Sequence, residues 1–226
     1  MSGPLKTCVL VSGTGSNLQA LIDACRAGKL NIEINHVISN VANAGGLARA
    51  ESAGIATSVL EHGLFASRDD FDRALALLMA AGKPDLVVLA GFMRIIGPRV
   101  LQPFQGRMIN LHPSLLPRYR GTETYRRAID AGDREHGASI HFVTEELDGG
   151  PVISQVVIPI LDDDDPQTLA ARLGPMEHRL VVATAGFLAE HRVECSDGAV
   201  IIDGKMLEAP LKLQANDQLV FNQPPD

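Results

Sequence analysis

The sequence predicts an α/β fold with a mostly parallel, Rossmann-like sheet flanked by helices and an antiparallel C-terminal portion. In the first half, short apolar segments rich in β-branched residues alternate with segments of helical spacing, which is typical of βαβ units. In the second half, two strand-like segments, Ala138–Val143 and Val152–Ile158, are separated only by Thr144–Pro151. That link is too short for a crossover helix, so it predicts an antiparallel pair.

The predicted elements of the first half follow the apolar pattern and the residues that start or end helices. The strands are Thr7–Ser12, Ile32–Ser39, Ala56–Leu60, Asp85–Ala90 and Arg107–Leu111. The helices are Asn17–Ala27, Gly46–Ala53 and a segment between Ser67 and Gly82. Ser67 with Asp70 forms a variant capping box, and glycines follow the first and third helices as stop signals.

A long helix is predicted from Pro166 to His191, interrupted at Gly174-Pro175. The acidic run Asp162–Asp165 resembles a metal site, but it directly precedes this helix. We therefore expect it to supply the N-terminal cap. Two short strands are predicted around Asp197-Gly198 and Asp203-Gly204 in the tail.

The composition argues against nucleic acids and anionic membranes as partners. Lys and Arg number 20 against 27 Asp and Glu, which gives a net charge of −7, and aromatic residues are only 4% of the chain. A net-acidic protein has no bulk attraction for nucleic acid or an anionic membrane. An anionic ligand must therefore be held by local geometry.

Cysteine usage and apolar runs indicate a cytoplasmic location. The three cysteines, Cys8, Cys25 and Cys195, show no CxxC spacing, and an odd number fits a reducing compartment. We expect no signal peptide, because the N-terminal residues lead directly into a strand-like segment. The longest apolar stretch, Leu180–Ala189, is far shorter than the roughly 20 residues of a membrane span.

The first candidate site is the loop Ser12–Asn17, between a strand and a helix. Its small residues let backbone N–H groups face a ligand, and the helix N-terminus adds partial positive charge, which suits one phosphate. Leu18 stands where a dinucleotide fingerprint has its third glycine, and no Walker lysine follows. The alternative is a tight turn capped by Asn or Ser.

The second candidate site is the segment Asn110–Pro117, just past a strand's carboxyl end, where open α/β sheets bind ligands. Residues two apart on an extended segment point to the same side, so Asn110 and His112 face one spot. An amide beside an imidazole is suited to stabilising an oxyanion. The alternative is a structural histidine at a strand end.

The third candidate is the turn Glu145–Pro151, which places Asp148 beside two glycines. A carboxylate near an imidazole raises the pKa of that imidazole and orients it. Taken alone, the turn favours a structural Asx turn. His136 and His141 are five residues apart and lack the spacing of metal ligands, so no metal is expected.

Four segments together resemble the phosphoribosylglycinamide formyltransferases, within the formyltetrahydrofolate-dependent formyltransferases. They are Gly13–Asn17, Leu89–Ile95, Asn110–Pro117 and Leu147–Val152, and the likeness extends from about Thr7 to His191. The Asn-x-His…Asp set is also similar to methionyl-tRNA formyltransferase and formyltetrahydrofolate deformylase. The early phosphate loop is the more selective element.

The resemblance implies transfer of the formyl group of 10-formyltetrahydrofolate, as cosubstrate, to the amine of phosphoribosylglycinamide in de novo purine biosynthesis. It implies that His112 is the general acid and stabilises the oxyanion, that Asn110 donates a second hydrogen bond, and that Asp148 raises the pKa of His112. No metal is required. The implied substrate-contacting residues are Gly15, Ser16, Asn17 and Glu177. The implied folate-contacting residues are Arg68, Met93, Arg94, Ile95, Ile96, Asn110, Thr144, Glu145, Glu146, Leu147 and Asp148.

The chain is expected to form one formyltransferase domain, as a monomer or homodimer. Its parts are a phosphate-binding half over residues 1–111, a folate-binding and catalytic half over 112–192, and short strands with a tail over 193–226. One departure from the family is Gly174, where relatives often place Lys or Gln, so we expect phosphate binding to depend more on the backbone of Gly15–Asn17.

Two other functions remain open at this point. A formyltetrahydrofolate deformylase would use water in place of the amine. A non-catalytic folate- or phosphosugar-binding module would bind without turnover, and the presence of Asn110, His112 and Asp148 together disfavours it.

Overall fold

The computed structural model describes residues 3–221. The chain divides into two compact units, Met1–Asn110 and Leu111–Asp226. Residues 1–2 and the end of the predicted tail, 222–226, lie outside the described residues.

The first unit is built on five parallel strands in the order β5-β4-β1-β2-β3. Its elements in chain order are β1 (Leu5–Val11), α1 (Ser16–Arg26), β2 (Ile32–Ser39), α2 (Gly45–Ser52), β3 (Ala56–Val59), α3 (Arg68–Ala81), β4 (Leu86–Leu89), α4 (Pro98–Leu101) and β5 (Met108–His112). The last two residues of β5 begin the second unit. The predicted parallel sheet is confirmed.

The strands at the centre of this sheet are buried along their whole length. All four residues of β4 and the last five of β1 are buried. Strands covered on both faces read as continuous apolar runs, which is why the sequence located them. The cap of α3 is also as predicted, since Ser67 Oγ accepts a hydrogen bond from the Asp70 N–H at 3.1 Å.

The second unit combines helices with antiparallel strands. Its elements are α5 (Thr124–Asp130), β6 (Glu135–Phe142), β7 (Val152–Pro159), α6 (Pro166–Glu190), β8 (Val193–Ser196), β9 (Ala199–Ile202), β10 (Lys205–Met206), β11 (Leu211–Leu213) and β12 (Leu219–Val220). β6 and β7 are antiparallel, as predicted, and α6 packs on both. β11 pairs in parallel with β7 and antiparallel with β12.

The predicted interruption of the long helix is wrong. α6 runs for 25 residues with Pro175 inside it. A proline disfavours helical conformation in the preceding residue partly through a clash with that residue's Cβ, and Gly174 has none. The start of the helix is as predicted, because Asp165 caps it and forms a capping box with Thr168.

The prediction of two strands in the tail is also wrong, since the structure has three, β8, β9 and β10, in an antiparallel sheet. Each Asp-Gly pair forms a tight hairpin turn. Asp197 and Gly198 have φ of 50° and 76°, and Asp203 and Gly204 have φ of 51° and 82°. Two successive residues at positive φ are the signature of the turn that matches strand twist. Each turn therefore joins two strands.

Candidate active site

The loop after β1 presents an uncapped helix N-terminus. Gly15 is the N-cap of α1 with φ 72°, and no side chain caps the helix. The alternative of an Asn or Ser cap is therefore wrong. The Asn17 Oδ1 atom is buried and has no hydrogen-bond partner among residues 3–221. The N–H groups of the first turn are thus available to an anion.

The loop is held by a close approach of two glycines. A Cβ on Gly15 would overlap the Cα of Gly46 and lie 3.5 Å from Arg49 Cδ. The Gly46 N–H donates to the Gly13 carbonyl at 3.1 Å. Arg49 Nε donates to the Thr14 carbonyl at 2.8 Å. Residues of both ends of α2 therefore fix the backbone of the loop.

Ser12 joins this loop to the segment after β4. Its hydroxyl donates to Asn40 Oδ1 at 2.5 Å and accepts from the Met93 N–H at 2.8 Å. The Ser12 N–H donates to the Gly91 carbonyl at 3.1 Å. One side chain thus connects the implied phosphate loop with the start of the implied folate segment.

The implied folate residues of the first unit lie together. Arg68 Nη2 donates to the Ile95 carbonyl at 3.0 Å, and Arg68 Nε lies 3.7 Å from Asp72 Oδ2. The Arg94 guanidinium stacks over Phe71. Burial raises the pKa of Asp72, although the charges of Arg68 and Arg94 oppose the rise.

The side chains of this segment differ in their exposure. Met93 and Ile95 are 75% and 57% exposed, whereas Ile96 is buried. Exposed apolar side chains such as these are suited to covering a flat ring.

His112 lies at the end of β5 with only 6% of its surface exposed. Its Nε2 donates to the Tyr119 carbonyl at 2.9 Å, and its Nδ1 is 3.5 Å from Asp148 Oδ2. Asn110, half-buried, precedes it by two residues on the same strand. Because the carbonyl only accepts, the neutral ring carries its proton on Nε2 and turns Nδ1 to the carboxylate.

The side chain of Asp148 contacts groups outside its own turn. It has φ 47°, and its Oδ2 accepts from the Gly121 N–H at 2.9 Å. Its Oδ1 is 3.7 Å from His141 Nε2. Burial alone would raise the pKa of Asp148, but the hydrogen bonds from His141 and Gly121 and the nearby imidazoles lower it on balance.

The pKa of His112 is lowered, not raised. Burial has the largest effect and lowers it, while the Tyr119 carbonyl and the Asp148 carboxylate raise it. The charge of Asp148 acts in the expected direction but is outweighed, because a half-formed ion pair does not replace the lost hydration of a buried imidazolium.

Glu177 lies on α6 in a separate cluster of the second unit. Its Oε1 accepts from the Tyr125 hydroxyl at 3.3 Å, and the Tyr125 ring packs against His136 at 5.2 Å. Burial, with Glu177 beside it, raises the pKa of Tyr125. Gly174 is one turn earlier, and a Cβ there would meet nothing within 4 Å.

The remaining implied folate residues lie on the turn after β6. Thr144 Oγ1 makes a long hydrogen bond of 3.4 Å to the Glu146 carbonyl, and Glu146 pairs with Arg120. Glu145 is exposed, and Leu147 is 49% exposed. Gly150 has no room for a Cβ, which would overlap the Phe142 carbonyl, so the turn is tightly built around Asp148.

Sequence reasoning missed three contributors to this site. His141 lacks the spacing of a metal ligand in the sequence, and in the structure its side chain contacts Asp148. The carbonyl of Tyr119 and the N–H of Gly121 are backbone groups that hold His112 and Asp148. Backbone contacts leave no signal in residue type.

Within residues 3–221 no group of His, Cys, Asp or Glu has the arrangement of a metal site. The run Asp162–Asp165 is used locally, since Asp164 pairs with Arg172 and Asp165 caps α6. Over the same residues, every helix is too short or too polar to cross a bilayer.

Comparisons with known proteins identify the family of this chain. Residues 5–185 match the family model described as formyl transferase. Phosphoribosylglycinamide formyltransferase of Escherichia coli is 47% identical over 88% of this chain and 94% of that protein. The Haemophilus influenzae protein of the same name is 42% identical over 89% and 95%. The structure of phosphoribosylglycinamide formyltransferase from Coxiella burnetii covers 90% of this chain and 96% of its own, with a TM-score of 0.86 and 46% identity. The chain therefore belongs to the formyl transferase family.

Proposed function

We propose that this protein is a phosphoribosylglycinamide formyltransferase. It transfers the formyl group of 10-formyltetrahydrofolate to the amine of phosphoribosylglycinamide, giving formylglycinamide ribonucleotide and tetrahydrofolate in de novo purine biosynthesis. The observation that carries the chemistry is the buried imidazole of His112, 3.5 Å from the carboxylate of Asp148. Identity of 47% to a protein of that name supports the choice of substrate.

The reaction needs a donor for the developing oxyanion and a carrier for one proton. When the amine attacks the formyl carbon, negative charge grows on the formyl oxygen, and fixed donors stabilise it. Asn110 and His112 are the proposed donors, and the Nε2–H of His112 would exchange the Tyr119 carbonyl for the formyl oxygen. The amine loses a proton and the leaving nitrogen of tetrahydrofolate gains one. His112 carries it, and Asp148 balances the charge of the protonated ring.

The substrate phosphate is assigned to the backbone N–H groups of Gly15, Ser16 and Asn17. The uncapped N-terminus of α1 supports this assignment, because a helix start without a side-chain cap leaves donors for an anion. Glu177 is assigned to the nucleotide through its carboxylate, which Tyr125 holds by a hydrogen bond.

The folate is assigned to Arg68, to Met93–Ile96 and to the turn Thr144–Asp148. Backbone groups of these segments would hold the pteridine, and the exposed side chains of Met93, Ile95 and Leu147 would cover it. No metal enters the proposed mechanism, since side chains supply proton transfer and charge stabilisation.

We further infer a single formyltransferase domain that acts on small molecules in the cytoplasm as a monomer or homodimer. All three cysteines are free, and burial raises the pKa of each. Free, weakly acidic thiols are compatible with a reducing compartment.

The test is an assay with both substrates that separates formylated ribonucleotide from formate. We expect formylated ribonucleotide with the parent and a loss of turnover of about 10²–10⁴-fold with His112→Ala. His62→Ala, an exposed histidine of the first unit, is the matched control and should retain full activity. Formate as the product would favour the deformylase, and binding of both ligands without turnover would favour the binding module.

A further inference from the structure

Arg49 is a half-buried arginine on α2 whose hydrogen bonds go to neutral acceptors. Its Nε donates to the Thr14 carbonyl at 2.8 Å and its Nη1 to Gln19 Oε1 at 3.2 Å. The ion pairs that the first unit forms within residues 3–221 involve Arg68, Arg73 and Arg99, not Arg49. The guanidinium of Arg49 thus bonds the phosphate loop itself, through the carbonyl of Thr14.

We propose that Arg49 is a positioning residue for the substrate phosphate, because it orients the N–H of Gly15 toward that phosphate. This inference rests on the proposed function, in which that N–H is a phosphate donor. In a planar trans peptide, the carbonyl of one residue and the N–H of the next point in opposite directions. Because Arg49 holds the Thr14 carbonyl on the side of α2, the Gly15 N–H must point away from α2.

The surroundings of Gly15 leave this peptide few other orientations. Gly15 has φ 72°, and a Cβ on it would overlap the backbone of Gly46. The Gly46 N–H donates to the Gly13 carbonyl at 3.1 Å, so the peptide before Thr14 is also held. A positive charge on the carbonyl end polarises the peptide and strengthens its N–H as a donor.

The proposed phosphate site consists of backbone donors at an uncapped helix start, and the strength of such donors depends on their alignment. Arg49 supplies that alignment from outside the loop, without contacting the phosphate itself.

A purely structural role is the alternative, in which Arg49 only joins α2 to α1 through Gln19. Gln19→Ala removes that bond and leaves the bond to Thr14 intact. Arg26→Met is a second control, because Arg26 also donates from its guanidinium to a backbone carbonyl, that of Ser52, at 3.2 Å. Neither control should change nucleotide binding.

The experiment compares Arg49→Met, Arg49→Lys, Gln19→Ala and Arg26→Met in the full chain. Steady-state kinetics give kcat and both KM values, and calorimetry gives the affinities for ribose 5-phosphate and ribose. We expect Arg49→Met to raise the KM for phosphoribosylglycinamide about tenfold, the effect of one lost charge-assisted alignment. The KM for 10-formyltetrahydrofolate and the kcat should be retained. Arg49→Lys should recover part of the loss, since its ammonium can still donate to Thr14.

The proposal is overturned if folded Arg49→Met keeps the parent's affinity for ribose 5-phosphate, or if Gln19→Ala weakens it equally. It is also overturned if Arg49→Met weakens the binding of ribose as much as the binding of ribose 5-phosphate. Should Arg49→Met fail to fold, Arg49→Lys decides, with the Gly15 amide resonance followed during titration with ribose 5-phosphate. A parent that shows no formyl transfer but binds ribose 5-phosphate through Arg49 would refute the proposed function and leave this inference standing.

Discussion

Asp148→Asn removes one negative charge from the site and leaves its shape. In the parent, the Gly121 N–H donates a hydrogen bond to the Asp148 carboxylate at 2.9 Å, and the side-chain oxygen of Asn can still accept it. The charge that disappears lies 3.5 Å from His112 Nδ1 and 3.7 Å from His141 Nε2. At 3.5 Å and an effective dielectric constant of about 20, two unit charges attract by about 5 kcal/mol. Each pKa unit corresponds to about 1.4 kcal/mol, and charges this close usually shift a pKa by about 1–3 units.

The sign of the shift follows from the protonated state that the carboxylate favours. Asp148 raises the pKa of His112 against the larger, opposite effect of burial, so removing Asp148 must lower that pKa further. The limb of the kcat–pH profile that His112 controls should move to lower pH, and kcat should fall more than the affinity for either substrate.

The assay pairs this profile with an NMR titration of the His112 ring. Asp203→Asn is the matched control, because Asp203 makes a similar ion pair with His191 at 2.7 Å on the surface. The control should leave the profile unchanged. If Asp148→Asn also leaves both the profile and the ring titration where they were, the carboxylate has only a structural role in its turn.

Three further outcomes are expected. Burial lowers the pKa of His36, His112 and His136 below 6.5, so the unfolded chain takes up protons at a higher pH than the folded chain does. The free energy of unfolding should therefore fall as pH drops below that value. Urea titrations at several pH values check this, and a free energy of unfolding that does not change with pH would contradict it. Ser12→Ala should raise the KM of both substrates by about fivefold, since the lost hydrogen bond is worth about 1 kcal/mol. A KM that rises for one substrate alone would show that Ser12 does not link the two segments. Gly15→Ala should lower stability by at least about 1–2 kcal/mol for its left-handed φ, with added overlap against Gly46, and chemical denaturation measures it.

The sequence was sufficient where structure depends on local pattern. β4 and the end of β1 are buried and almost entirely apolar, and their positions were predicted to within two residues. Ser67 and Asp165 were recognised as caps because capping is a contact between residues two or three apart. β11 and β12 were missed, since Leu211–Leu213 is stabilised by pairing with β7, more than fifty residues away.

Asn110 and His112 were found together for the same reason, because the two-residue period of a strand is a local property. Arg49 was not found. Nothing near it in the sequence distinguishes it from a surface arginine of a helix, and its contact with Thr14 spans 35 residues. The glycines on either side of that contact, Gly15 and Gly46, were visible in the sequence, but only the structure shows that they touch.

His141 shows most clearly why the remaining part of the site was out of reach. In a regular strand, side chains alternate between the two faces, so the neighbours of β6 fix which face each residue takes. The pairing of β6 with β7 shifts between Ile140 and His141, since Ile140 pairs with Ser154 and His141 with Val152. Such an irregularity re-aims side chains and is common beside active sites. The extra residue at the shift is Ile153 of β7, so counting along β6 could not reveal it. The contact of His141 with Asp148 therefore depends on the register of two strands, a property of their pairing and not of either sequence alone.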